Sequence, residues 1–179
     1  MGLKVVGFAG YSGAGKTTLV ERMIPLFRQH GDRVSVVKHA HHRFDIDHPG
    51  KDTYRHREAG AFEVVVASDR RLALIREFER TTELSVHDLI AELDPGVDWV
   101  LVEGFKHADL PKIEVWRQAQ AGDASRPLRY VDDPLVVGIA TDEIDALPQP
   151  TSLPVFDVND AGTVVRWLRD NAARFAYNR

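Results

Sequence analysis

Apolar residues come in short blocks, and the spacing inside the blocks switches between continuous runs and every third or fourth position. Residues 4–9 form a near-continuous apolar run that predicts a buried strand. Residues 19–30 carry Leu19, Met23, Leu26 and Phe27 at the spacing of a helix packed on a sheet, with Gly31 as its stop. Pro25 inside that helix predicts a kink or one lost hydrogen bond. A second strand, parallel to the first through a right-handed crossover, is predicted at 34–38. From 39 to 52 no period survives, and Pro49-Gly50 marks a turn. A short helix over 53–59 closes at Gly60, and strands at 62–67 and 71–75 flank residues 68–70 at hairpin spacing.

Ser85 and Asp88 fit a capping box that opens a helix through Leu93. Residues 99–102 are continuously apolar, as in a strand covered on both faces, and deliver Glu103-Gly104 at the C-terminal end. Residues 112–117 alternate, which predicts a more exposed strand. Two further buried strands fall at 135–140 and 155–158, and Asn159-Asp160 caps a last helix carrying Val164, Val165, Trp167 and Leu168. Strands alternating with helices, with the glycine-rich segment Gly10-Tyr11-Ser12-Gly13-Ala14-Gly15-Lys16-Thr17 between the first strand and the first helix, predict an α/β protein of the P-loop NTPase type, a three-layer sandwich whose mostly parallel sheet has helices on both faces. The whole of 1–179 reads as a single nucleotide-binding domain, with 118–127 a mobile loop and no repeat or linker.

Composition narrows the chemistry. There is no cysteine, which removes disulfides, thiolate metal sites and cysteine nucleophiles, and makes a cytoplasmic location the expectation. The apolar runs are too short to span a bilayer, and the N-terminus enters the first strand with no signal peptide. A net charge of −4 gives no global argument for nucleic acid. Locally, however, residues 38–57 concentrate lysine, arginine and histidine, including Lys38 and His39, and suit an anionic ligand.

The sharpest chemical signal is Gly10-Tyr11-Ser12-Gly13-Ala14-Gly15-Lys16-Thr17, between the first strand and the first helix. This is the phosphate-loop spacing in its required context. Gly10, Gly13 and Gly15 let successive N–H groups approach phosphate oxygens at the positive end of the helix. Lys16 is expected to reach the β- and γ-phosphates, and Thr17 a Mg²⁺ held with them. Ser12, Ala14 and Thr18 complete the predicted nucleotide contacts, with Lys38 and His39 beside them.

Such a site also needs an acid at the end of a neighbouring strand. Glu103 is the best placed; where aspartate is usual, it either positions Mg²⁺ through a water, orients the attacking water, or serves only as a cap. Asp52 is an additional magnesium candidate on the long loop, its other reading being a helix N-cap. Asp142, ending a buried strand, is placed to accept from N1 and the 2-amino group of guanine and so select GTP, or else caps the following turn. His39, His41, His42, Asp45, Asp47 and His48 form either a metal-binding tract or a set of anion and partner contacts. No arginine stands out as a finger supplied in cis.

Several runs go beyond a generic phosphate loop: Val37-Lys38-His39-Ala40-His41-His42, then Asp45-Ile46-Asp47, then Pro49-Gly50-Lys51-Asp52-Thr53-Tyr54-Arg55-His56-Arg57, and Ala59-Gly60-Ala61. With Leu101-Val102-Glu103-Gly104-Phe105-Lys106 and Leu110-Pro111-Lys112-Ile113-Glu114-Val115, they closely resemble MobB, the family of molybdopterin-guanine dinucleotide biosynthesis adapter proteins. The resemblance implies a GTP-binding homodimer with weak GTPase activity. It would act beside a nucleotidyltransferase that joins GMP to molybdopterin, helping to deliver GTP or cofactor. Two other classes compete: a metal-insertion GTPase, which also carries histidines near a phosphate loop, and a small-molecule kinase. Partitioning-type ATPases carry a lysine at the loop's second position, where this chain has Tyr11.

Overall fold

The computed structural model describes residues 2–40, 44–118 and 127–178, so His41, His42 and most of the predicted loop at 118–127 lie outside the described residues. The chain forms two compact units, residues 1–39 with 86–179, and residues 40–85. The second unit is inserted between two stretches of the first, with no linker composition at either boundary.

In chain order the first unit holds β1 (Lys4–Ala9), α1 (Lys16–Gln29) and β2 (Val34–Lys38). After the insertion come α3 (Val86–Ala91), β5 (Trp99–Glu103), β6 (Lys112–Val115), α4 (Arg129–Asp132), β7 (Val136–Thr141), β8 (Val155–Asp157) and α5 (Ala161–Asp170). The six strands form one parallel sheet in the order β2-β5-β1-β6-β7-β8. The apolar run of β1 is explained by this position, since a central parallel strand must bury both faces. Val6 and Phe8 point into a cluster with Leu19, Met23 and Phe27 of α1 and Val164, Val165 and Leu168 of α5. Val5 faces the other way, with Val100 and Val102 of β5 and Val86 and Ile90 of α3. Helices therefore cover both faces, and each fully buried aliphatic side chain contributes on the order of 2 kcal/mol. Trp99 stacks its tilted ring 5.1 Å from Phe27 and 5.8 Å from Phe175, closing the α1/α5 layer.

The helix α1 runs continuously through Pro25 and ends where Gly31, at φ 83°, takes the left-handed conformation. The last helix is capped as expected, with the Asp160 carboxylate accepting from the backbone N–H of Thr163. The reading of residues 112–117 as a more exposed strand is corrected by the fold: β6 is buried along its whole length, between β1 and β7. Its polar positions are satisfied from a distance. Lys112 Nζ donates to Ala108 O at 2.7 Å and to Asp133 Oδ2 at 2.9 Å. Glu114 accepts from the N–H groups of Arg129 and Tyr130 at 3.0 and 2.7 Å, and burial pushes its carboxyl above the usual range. Alternation alone cannot separate a solvated face from a buried face whose charges are paired.

The second unit contains α2 (Asp52–Glu58) and the antiparallel pair β3 (Glu63–Ala67) and β4 (Leu72–Arg76). Within it Arg57 gathers Asp45, Asp47 and Glu77 at 3.1, 3.2 and 2.6 Å. Hydrogen bonds to Asp45, then Glu77 and Asp47, raise the Arg57 pKa further. Phe62, Val65, Val66, Leu72 and Leu74 are exposed on this unit. Among the described residues no helix is long and apolar enough to cross a membrane.

Candidate functional site

Parallel strands deliver their C-terminal ends to one edge of the sheet, and that edge is where ligands bind in open α/β folds. Here β1 delivers the glycine loop, β2 delivers Lys38, and β5 delivers Glu103. Register sets Lys38 and Phe8 on either side of Glu103. The loop backbone depends on its glycines. Gly10, Gly13 and Gly15 have φ of 152°, 78° and 101°, and a Cβ on Gly10 would stand 2.2 Å from the Val115 carbonyl oxygen. Gly10→Ala is therefore expected to destabilise the fold by about 2 kcal/mol or more, because backbone rather than a flexible side chain would have to yield. A chemical denaturation midpoint equal to that of the wild type would refute this.

The helix α1 opens at Lys16 with no side-chain cap and no acid in its first turn, so its dipole favours an anion at that end. Lys16 Nζ curls over the loop, donating to Gly10 O at 2.8 Å and Tyr11 O at 2.6 Å. Burial lowers the Lys16 pKa; the Glu103 carboxylate opposes that shift and the Lys38 ammonium adds to it. Thr17 Oγ1 donates to Glu103 Oε1 at 2.5 Å. Lys38 Nζ stands 3.2 Å from the same carboxylate oxygen and donates to Thr17 Oγ1 at 3.4 Å.

The residues present fit a magnesium ion: a hydroxyl and a carboxylate are hard oxygen donors, and they already converge on a cation in the form of the Lys38 ammonium. Glu103 is almost fully buried, whereas Lys38 is largely exposed. Beyond Glu103 the chain turns through Gly104, at φ 95°, where a Cβ would meet His39 Cβ at 2.8 Å. Phe105 follows at φ 41°, a sparsely populated conformation for a residue with a side chain, and its ring packs 4.8 Å from the His39 ring.

On the other side of β1, Asp142 follows β7 directly, and its Oδ2 lies 3.4 Å from Nε of Arg117. The structure thus brings the glycine loop, Lys16, Thr17, Lys38, Glu103 and Asp142 to one sheet edge. Asp52 belongs to the second unit, where it is the first residue of α2 rather than its N-cap, and pairs with Arg55 at 3.6 Å. Among the described residues no group of three His, Asp or Glu is arranged to hold a metal ion. Sequence reasoning missed Arg117. Its one signal was its place as the last residue of the strand predicted at 112–117.

A parallel sheet of this order, with a glycine loop after β1, a helix opening on a lysine and an acid ending the adjacent β5, defines the phosphate-loop class of α/β folds. The family described as "Molybdopterin guanine dinucleotide synthesis protein B", or MobB, matches residues 5–142. The chain is 38% identical to the molybdopterin-guanine dinucleotide biosynthesis adapter protein of Escherichia coli (strain K12), over 93% of this chain and 94% of that protein. It is 41% identical to the protein of the same description from Haemophilus influenzae, over 80% and 79% of the two chains. Among solved structures, Bacillus subtilis MobB superposes with a TM-score of 0.71 at 24% identity, covering 98% of this chain and 100% of that one. A MobB homolog from Bacillus stearothermophilus gives 0.68 at 25%, covering 94% and 97%. This chain belongs to the MobB family.

Proposed function

We propose that this protein is a Mg²⁺-dependent GTP-binding adapter of molybdopterin guanine dinucleotide biosynthesis. The reading further makes it a cytoplasmic homodimer with slow GTPase activity, acting beside the nucleotidyltransferase that joins GMP to molybdopterin. The observation that carries the nucleotide half is the convergence of Lys16, Thr17, Lys38 and Glu103 at the mouth of the glycine loop. Family membership supports the pathway half.

In this reading the loop N–H groups of Gly13, Ala14 and Gly15 and the start of α1, with Ser12 and Thr18 alongside, cradle the phosphates. Lys16 leaves the carbonyls of Gly10 and Tyr11 for the β- and γ-phosphates. Bound Mg²⁺ would neutralise phosphate charge, held by Thr17 and Glu103. Lys38, released from Glu103, and His39 beside it then face the nucleotide. Asp142 accepts from the guanine edge. Because Glu103 stands where aspartate is usual and would hold the ion with Thr17 rather than act as a base, binding dominates over turnover. Purified protein alone is expected to hydrolyse GTP well below about 1 per second, the low end for kinases. The exposed apolar residues on the second unit favour self-association.

The deciding experiment is calorimetric titration with GTP, ATP and a non-hydrolysable GTP analogue in Mg²⁺, repeated with Asp142→Ala. Selective GTP binding, weakened about tenfold in the variant by loss of a charge-assisted hydrogen bond, is the expected result. Equal or preferential ATP binding would discard the guanine assignment and put a small-molecule kinase first.

A further inference from the structure

Arg117 has no role in the reading above, yet it stands where three elements of the site meet. The strand β6 lies between β1, which carries the phosphate loop, and β7, which carries Asp142. Its end is pinned on both sides. The Val115 carbonyl abuts Gly10, and Trp116 N–H donates to Ala140 O at 2.9 Å, so Arg117 emerges against the loop with little freedom in its Cα position. A Cβ built on Gly15 would lie 3.6 Å from Nη2, 3.8 Å from Cζ and 3.8 Å from Nε. Three atoms of one plane at nearly equal distance mean that the guanidinium lies flat over Gly15, the residue just before Lys16. Its Nε, a buried atom, lies 3.4 Å from Asp142 Oδ2, an ion-pair contact.

We propose that Arg117 is a phosphate-contacting residue of the nucleotide site, and that Asp142 is the positioning residue that orients its guanidinium over the loop. The inference rests on the nucleotide-binding reading. Gly15 caps α1, whose first N–H groups would receive the phosphate, so a flat guanidinium over Gly15 lies beside the path of the phosphate chain. Arginine presents its donors in a rigid planar fork matched to phosphate oxygens, and a carboxylate on one edge fixes the direction of the rest. Stability is a poor account of the pair, because each side chain is 37% exposed and ion pairs of that kind contribute little. With φ at 101° position 15 favours glycine, and a Cβ there would make ordinary van der Waals contact with the guanidinium. Asp142 acquires a function that does not depend on the base.

The test is calorimetric titration of the full chain with Mg²⁺-GTP and with Mg²⁺-pyrophosphate, which has no base, using wild type, Arg117→Ala, Arg117→Lys and Asp142→Asn. Thermal melting of each confirms folding. Arg117→Ala is expected to weaken GTP and pyrophosphate alike, by about tenfold, the size of a hydrogen bond to a charged group. Arg117→Lys should recover only part of this, since a point charge lacks the fork. Asp142→Asn should weaken pyrophosphate as well as GTP, a loss that a base-reading role alone would not cause. Wild-type affinity for both ligands in Arg117→Ala would overturn the proposal, as would loss of GTP alone in Asp142→Asn. A wild-type protein that binds neither ligand would instead overturn the nucleotide reading, and this inference with it.

Discussion

Replacing Lys16 by alanine is expected to weaken GTP binding by about a hundredfold or more while leaving the chain folded. Removing one partner of a desolvated, charge-assisted contact costs about 2–5 kcal/mol in binding, and each 1.4 kcal/mol is a factor of ten. The fold does not need the side chain. Lys16 is half-buried, and its ammonium is spent on two loop carbonyls, Gly10 and Tyr11, that remain accessible at the edge of the sheet. The substitution also removes a desolvated charge whose pKa burial already lowers. Calorimetry against GTP and a melting curve separate the two effects. Unchanged affinity would take the phosphate loop out of the mechanism, whereas a collapsed melting curve would show that the loop had been misjudged as locally self-supporting.

The largest stability effect is expected at Asp133→Ala. Lys112 is 2% exposed in the middle of the sheet, and its ammonium has Asp133 as its charge partner at 2.9 Å and Ala108 O as a second acceptor. Leaving that ammonium buried without its carboxylate is expected to cost about 3–5 kcal/mol, a large part of the roughly 5–15 kcal/mol that stabilises a domain. The same pair sets a pH dependence. Burial works to raise the Asp133 pKa, but the hydrogen bond from Lys112 and the N–H of Leu135 outweigh it, and the net shift is downward. A carboxyl with a lower pKa folded than unfolded stabilises the protein above the unfolded value of about 3.9, and that contribution is lost as pH falls through the folded value. Denaturation curves below about pH 4 should therefore fall less steeply in Asp133→Asn than in wild type. Equal slopes would mean that Asp133 titrates alike in both states.

Local pattern carried much of the architecture. The runs at 4–9, 99–102 and 135–140 are strands because central parallel positions tolerate only apolar side chains on both faces, and the glycine loop sits between strand and helix as its spacing demands. The hairpin at β3 and β4 was equally legible, since both partners and the turn lie within a few residues. Pairings between distant residues were not. Nothing near Lys112 announces Asp133, and nothing near Glu114 announces the N–H groups of Arg129 and Tyr130. For that reason β6 read as solvated when it is enclosed. The insertion of β5 between β1 and β2 was hidden for the same reason, because strand order is decided by partners across the whole chain. Of the candidate site, the loop and Glu103 could be found from motif and strand ends. The Lys38 bridge to Thr17 and Glu103 depends on a cross-strand register, and the place of Arg117 over Gly15 on a contact between the ends of two neighbouring strands.

The position of β1 also bears on how the protein is made. Lys4 pairs with Trp99 and Gly7 with Lys112, so neither edge of β1 has its native partner until the ribosome has released the chain to that point. At about 5–20 residues per second, this strand spends several seconds with both hydrogen-bonding edges open. β2 waits as long, since it pairs only with β5. Residues 40–85 face no such delay: their helix and hairpin contacts are local and form early. The first forty residues, which carry the phosphate loop, are thus synthesised first and completed late, and this stretch is the chain's main window for misassociation during synthesis.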